Sequence, residues 1–236
     1  MKSLFYQSAK GYCYNSDSIF LYRFARDFKI KGNVLDIGCG VGVLSILLAK
    51  DFKAKFYAVE KQEMMYKYAL KNFDVNRVNV DIKNCDFKDY NIDIKFDFII
   101  SNPPFYKVDR HQSPNISKNI ARYEHHLPLN LLITKVSKLL KPKGYFIFCY
   151  DASYLDEILL NLKNNSLQAE FIKFVHSKAN KEAKIVMITA RKSSNSVCKV
   201  LAPLIVFNDN NEYTNEAKEA FKLADTYSIK AEFEES

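Results

Sequence analysis

The chain has 236 residues, 48% apolar and 26% charged, which is the size and composition of one globular domain with at most a short extension. These proportions exclude a disordered, collagen-like or disulfide-built chain, and no apolar run approaches the roughly 20 residues of a membrane span. The net charge of +8 is compatible with a polyanionic partner, and it is uneven: 107–141 carries seven Lys/Arg against two acids, and 173–199 seven against one.

An extended piece is expected over 5–14, then a helix capped by Ser16 or Asp17, with Ile19, Phe20, Phe24 and Phe28 as its apolar stripe. After Gly32, Val34-Leu-Asp-Ile-Gly38 reads as a strand stopped by a glycine, followed by a helix over 43–50. A strand over 56–60, a helix over 62–73 and strands over 78–82 and 96–101 come next. Asn102-Pro103-Pro104-Phe105 breaks the chain, and a polar loop runs to about 127. A helix over 129–140 is closed by a stop and turn at Lys141-Pro-Lys-Gly144. A strand over 145–150, a helix to about 164 and strands near 169–175 and 184–190 follow. The tail holds an apolar piece over 200–207, an Asn-rich turn and a helix from Thr214. Strands alternating with helices predict an α/β fold with a mostly parallel seven-stranded sheet and helices on both faces. Ligands of such sheets gather at the carboxyl ends of the strands, beside the first one.

That position holds Asp36-Ile-Gly38-Cys-Gly40-Val-Gly42, whose alternate glycines let backbone approach a ligand at a helix N-terminus. A dinucleotide fingerprint would need glycine where Val43 stands, and an acid at 36 would face a pyrophosphate badly. A cationic ligand would welcome that acid. Glu60, at the end of the second strand, can accept from both hydroxyls of a ribose. Asp86, after the third, can accept from an adenine amino group, with Phe87 beside it. An adenine, a ribose and a positively charged amino-acid tail without phosphate describe S-adenosylmethionine.

Asn102-Pro103-Pro104-Phe105 ends the fourth strand, next to this pocket. The lone pair of a nucleobase amino nitrogen is delocalised into the ring, so the nitrogen is a poor nucleophile. Two acceptors aimed at its N–H bonds favour the pyramidal form; the Asn102 side-chain oxygen and the Pro103 carbonyl suit that role. Consecutive prolines hold the carbonyl rigidly, and Phe105 offers a stacking face. The enzyme then contributes positioning and preorganised electrostatics rather than a general base.

These two motifs resemble the class I S-adenosylmethionine-dependent methyltransferases that act on planar amino groups, which implies their Rossmann-like fold. A closer resemblance runs along nearly the whole chain. It rests on Gly11-Tyr-x-Tyr-x-x-Asp17, Arg122 with Glu124 or His125, the strand at 184–192, Leu201-Ala-Pro-Leu-Ile-Val-Phe and Asn211-Glu-Tyr-Thr. The chain is thereby similar to the bacterial tRNA1(Val) adenine-N6 methyltransferases, which modify the adenosine beside the anticodon. The resemblance implies donor contacts from Asp36, Gly38, Glu60 and Asp86, closure over the donor by Asp17 and nearby residues, a catalytic Asn102 and a stacking Phe105; Gly40, Phe87 and Asn102 are further candidate donor contacts. Tyr14-Asn-Ser16 in place of Phe-Gly-Thr, and Ala-Arg-Tyr-Glu in place of Ala-Arg-His-Glu, bear on the RNA target. The expected organisation is an N-terminal extension over 1–30 closing on the donor site, a methyltransferase domain over 31–192 and a C-terminal extension over 193–236.

In the polar loop, Lys107, Arg110, Lys118 and Arg122 are candidate RNA contacts, and His111, His125 and His126 fit RNA better than a metal. The five scattered cysteines form no Cys-x-x-Cys pair, and most of them read as buried apolar residues of a reducing compartment. With no signal-like N-terminus, the expectation is a cytoplasmic protein with tRNA as partner, no membrane and no obligate protein partner. Rival functions are amino methylation of rRNA or DNA, methylation of a protein glutamine amide, and a silent RNA-binding module. With 35 residues before Asp36, the helical substrate domain of the glutamine enzymes is not expected.

Overall fold

The computed structural model describes residues 2–9, 14–103 and 127–232. Its sheet is built from β2 (Gly32–Ile37), β3 (Ala54–Glu60), β4 (Val80–Asn84), β5 (Phe96–Ser101), β6 (Leu140–Asp151), β7 (Leu167–His176) and β8 (Ala183–Lys192). They lie in the order β7-β8-β6-β5-β2-β3-β4, and only β8 runs antiparallel to its neighbours. The seven-stranded expectation holds, and the apolar piece at 200–207 widens the sheet. Its short β9 (Lys199–Val200) and β10 (Leu204–Ile205) both add to the free edge of β7.

The helices α1 (Ser16–Ala25), α2 (Val43–Asp51), α3 (Glu63–Asn76) and α6 (Asn215–Ala224) cover one face. The other face carries α4 (Leu129–Leu139) and α5 (Leu155–Asn164). Buried on both faces, the central strands read as continuous apolar runs. In β6, for example, Ile147 and Cys149 join the first core while Phe146, Phe148 and Tyr150 join the second. The stripe Leu129, Leu132, Ile133, Val136 and Leu139 keeps helical spacing and is wholly buried.

Three local expectations are corrected. The cap of α1 is Asn15, whose extended backbone lets its Oδ1 accept from the Asp17 N–H at 3.2 Å. The helix stop at Lys141-Pro-Lys-Gly144 holds, since α4 ends at Leu139, but the segment is a bulge inside β6 rather than a free turn: Leu140 pairs with Phe96 and Tyr145 with Phe98, and Lys143 between them takes a φ of 64°. The piece expected over 5–14 is β1 (Ser3–Gln7), which pairs in parallel with β11 (Thr226–Lys230) at the far end of the chain.

That two-stranded sheet needs support, since an isolated strand pair is marginal in water. Two asparagines one turn apart on α3 supply it by acting as a third strand. Asn72 accepts from the Tyr6 N–H at 2.7 Å and donates to the Tyr6 carbonyl at 3.0 Å. Asn76 accepts from the Leu4 N–H at 3.1 Å and donates to the Leu4 carbonyl at 2.6 Å. Asn72 also donates to the Val41 carbonyl at 2.9 Å, tying the chain ends to the glycine loop. Replacing it strands the part-buried backbone groups of Tyr6 and the buried carbonyl of Val41. Asn72→Ala should cost about 3 kcal/mol, read in urea unfolding as a lower midpoint at an unchanged m-value.

Candidate active site

At the carboxyl ends of β2, β3 and β5 lies a cleft. Asp36, Gly38, Gly40, Glu60, Asp86, Phe87 and Asn102 all line it, so the structure brings together most of the residues nominated from the sequence. Asp17 stands one residue before Ser18, which does line the cleft. Pro103 is buried at the end of the described segment, and Phe105, Lys107, Arg110, Lys118 and Arg122, like the three loop histidines, lie outside the described residues.

The floor is set by the turn from β2 into α2. Gly38, Gly40 and Gly42 all adopt positive φ (66°, 56° and 87°), a region that only glycine enters cheaply. A Cβ on Gly38 or Gly40 would meet nothing within 4 Å, whereas one on Gly42 would strike the Phe73 ring at 2.6 Å. The first two glycines thus keep backbone open to the cleft, and the third serves packing. The Gly38 and Cys39 N–H groups both donate to the Val59 carbonyl, at 2.8 and 3.2 Å, which fastens the loop to β3.

Asp36 is 3% exposed. One oxygen, Oδ2, accepts from the Ser45 N–H at 3.1 Å and the Ser45 hydroxyl at 2.7 Å, so the acid caps the first turn of α2. The other, Oδ1, is buried and has no partner. Burial, with a further push from the Glu60 charge, outweighs the Ser45 hydrogen bonds and raises the Asp36 carboxyl to about 7. An unpaired buried acceptor costs on the order of 1–3 kcal/mol, and a cationic donor would relieve it.

Glu60 is held by the Gly40 N–H at 2.9 Å and the Gln62 N–H at 2.7 Å, one to each oxygen. Each oxygen keeps a second acceptor direction. Burial raises the carboxyl despite those bonds. Asp86 accepts from the Lys88 N–H at 2.9 Å and pairs with Lys61 at 2.7 Å. Burial opposes its ionisation, but Lys61 and the backbone bond prevail and its pKa is lowered. Asp17 accepts from the Asn15 amide at 2.7 Å, and burial raises its pKa.

Asn102 is held at both ends of its carboxamide: Nδ2 donates to Ser18 Oγ at 3.0 Å, and Oδ1 accepts from the Cys149 thiol at 3.0 Å. Neither partner was nominated from the sequence. For Cys149 the signal lay in strand adjacency, since Ser101 pairs with Phe148 and the next residues along are Asn102 and Cys149. Ser18 offered only its place in the first turn of a helix ahead of the glycine loop.

The basic segment 173–199 divides in two. Lys178, Lys181 and Lys184 sit at the hairpin joining β7 to β8, at the same sheet edge as Asn102, as the pairings Asp151–Ile185 and His176–Ala183 require. Arg191 and Lys192 lie at the opposite edge. There Arg191 sits 4.8 Å over the Tyr145 ring and Lys192 bonds the Ser137 and Leu140 carbonyls. Lys173 pairs with Glu216 at 2.6 Å.

Residues 15–151 match the family model described as the methyltransferase small domain. The chain belongs to that family. A tRNA1(Val) (adenine(37)-N6)-methyltransferase of Phocaeicola vulgatus is 29% identical over 166 residues, 68% of this chain and 69% of that protein. A relative of the same name from Actinobacillus pleuropneumoniae is 26% identical over 212 residues, 88% of this chain and 86% of its own length. Among solved structures, one from Agrobacterium tumefaciens, named a predicted O-methyltransferase, shares the fold at a TM-score of 0.69. It is 16% identical and covers 91% of this chain and 100% of that one.

S-adenosylmethionine is the cofactor of this methyltransferase, and the cleft fits it. An orphaned acceptor at Asp36 suits its ammonium, and the open backbone at Gly38 and Gly40 leaves it room. Among the described residues no three His, Cys, Asp or Glu side chains gather to hold a metal, and no helix is long and apolar enough to cross a membrane.

Because Asp36 holds a proton below about pH 7, an ammonium aimed at Oδ1 must displace it. Calorimetry at pH 6 in buffers of different ionisation enthalpy should show about one proton released as S-adenosylmethionine binds, with affinity climbing toward pH 7. Asp36→Asn should abolish the proton release and weaken binding by about 2 kcal/mol.

Proposed function

We propose that this protein transfers a methyl group from S-adenosylmethionine to the exocyclic amino group of adenine in tRNA, at adenosine 37 of a valine tRNA, the target in its relatives' names. The observation that carries the chemistry is that Asp36, with its orphaned oxygen, and Asn102, which two prolines follow in the sequence, line one cleft.

S-adenosylmethionine supplies an electrophilic methyl group. The chain's own residues hold and aim the reactants. Asp36 Oδ1 accepts from the donor's ammonium, Gly38 and Gly40 give it room, and Glu60 accepts from the ribose hydroxyls. Asp86 and Phe87 receive the adenine end, while Asp17 and α1 close over the pocket. On the acceptor side, Asn102 Oδ1 and the Pro103 carbonyl accept from the two N–H bonds of the target amine and turn its lone pair toward the methyl group. The amine sheds its proton after transfer, so no base of tuned pKa is needed.

Phe105 stacks on the adenine, and Lys107, Arg110, Lys118 and Arg122 meet RNA phosphate. An adenine in a stacked loop costs a few kcal/mol to splay out, and those contacts offset it. The hairpin lysines 178, 181 and 184 extend that basic face. Residues 1–30 and 193–236 work with 31–192 as one unit, since α1 and α6 share its core.

Methyl transfer to total tRNA from a strain lacking the gene, with mass spectrometry of the nucleosides, should place N6-methyladenosine in one valine isoacceptor. Label only in rRNA or DNA would move the substrate to another nucleic acid, and label only in protein would remove the RNA reading. Asn102→Ala should lower turnover by at least about a hundredfold at nearly unchanged donor affinity.

A Lys178→Ala/Lys181→Ala/Lys184→Ala variant should raise KM for tRNA about tenfold and flatten the salt dependence of binding. Lys31→Ala and Lys53→Ala, at the opposite sheet edge, should leave both unchanged.

A further inference from the structure

We infer that Ser18 and Cys149 are positioning residues that hold the Asn102 carboxamide from its two ends, making the first turn of α1 and the end of β6 parts of the methyl-transfer site. The inference rests on Asn102 being the group that receives the acceptor amine. The terminal torsion of an asparagine is broad, so a carboxamide left to itself spreads its acceptor directions. Here both ends are engaged at 3.0 Å, by Ser18 Oγ on Nδ2 and by the Cys149 thiol on Oδ1.

Both partners are buried. Ser18 is 8% exposed and Cys149 0%. Cys149 points to the sheet face that α1 covers, in the same core as Ile147 and Ile19, so helix and strand close on Asn102 from two elements. The thiol is in the right protonation state for the contact. Burial, and then the nearby Asp17 charge, push Cys149 well above the usual thiol range, so it keeps its proton and donates. A thiol is a weak, single donor, which leaves the second acceptor direction of Oδ1 for the substrate amine.

The hydroxyl and the thiol are each replaceable by a near-isostere, which separates positioning from packing. Ser18→Ala and Cys149→Ala should each lower kcat for tRNA methylation about tenfold, with KM for tRNA and donor affinity within about twofold. Ser18→Thr, which keeps the hydroxyl, and Cys149→Ser, which puts a hydroxyl donor in place of the thiol, should recover most of the lost rate. Wild-type kcat in both alanine variants, or equal losses in alanine and hydroxyl variants, would overturn the assignment.

A second readout needs no turnover. The S–H stretch of Cys149, isolated in the infrared by subtracting the Cys149→Ser spectrum, should shift toward the free-thiol position in Asn102→Ala. A band that does not move would remove the clamp. Because this arm is independent of substrate, a wild-type protein that methylates no tRNA would sink the proposed target while the infrared result still decides the contact.

Discussion

A carboxylate buried without a counter-ion among the described residues is the constraint around which this site is organised. Asp36 can sit there only because Ser45 donates twice to Oδ2. Ser45 can do so only if α2 starts at once after the loop. That start needs positive φ at Gly38, Gly40 and Gly42, and it needs Gly42 bare against Phe73. The loop must also be fixed in space, which the Val59 carbonyl does from the neighbouring strand. The N-terminal end of α2 partly compensates the charge, but burial wins and the carboxyl rises to about 7. The strain of that arrangement is concentrated on one atom, Oδ1, which is where a cationic ligand has most to offer.

Stability and the site share a single helix. Asn72 joins the loop carbonyl of Val41 to β1, and the next residue, Phe73, fills the space beside Gly42. Because β1 pairs with β11, the described ends of the chain are braced against the loop they flank. On the same side of the sheet, Phe20 of α1 packs on Phe221 of α6 at 5.5 Å between ring centroids. The segments that read as extensions in the sequence are therefore continuous with the core beneath the cleft.

Much of this was legible in the sequence, for identifiable reasons. β2, the glycine loop and α2 are contiguous, and their signals are local: an apolar run, alternate glycines, a helical stripe. Asp36, Glu60, Asp86 and Asn102 were found because each closes a strand, and parallel strands present their ends to one edge. The β1–β11 pairing was not legible, since its two strands lie at opposite ends of the chain and the asparagines that complete them sit on a helix between. At Lys141-Pro-Lys-Gly144 the expected stop holds, but the turn lies inside β6 as a bulge, because Leu140 already pairs with Phe96 ahead of it. Cys149 carries no more local signal than any buried apolar residue; only the register of β6 against β5 sets it beside Asn102.

The composition of the Asn102 clamp follows from what the carboxamide has to do. Its oxygen must be fixed in direction and still accept strongly from an amine. A lysine at position 149 would fix it but would compete with the substrate for the same lone pairs, and a carboxylate would repel it. A thiol that keeps its proton orients Oδ1 while withdrawing little of its accepting power. Donation from Nδ2 to Ser18 acts in the opposite sense: polarising the amide through its N–H shifts electron density onto the oxygen. One end of the group is therefore held weakly and the other in a way that strengthens the acceptor. Both contacts use neutral side chains, so the pair adds no net charge near a sulfonium whose methyl group must leave toward a neutral amine.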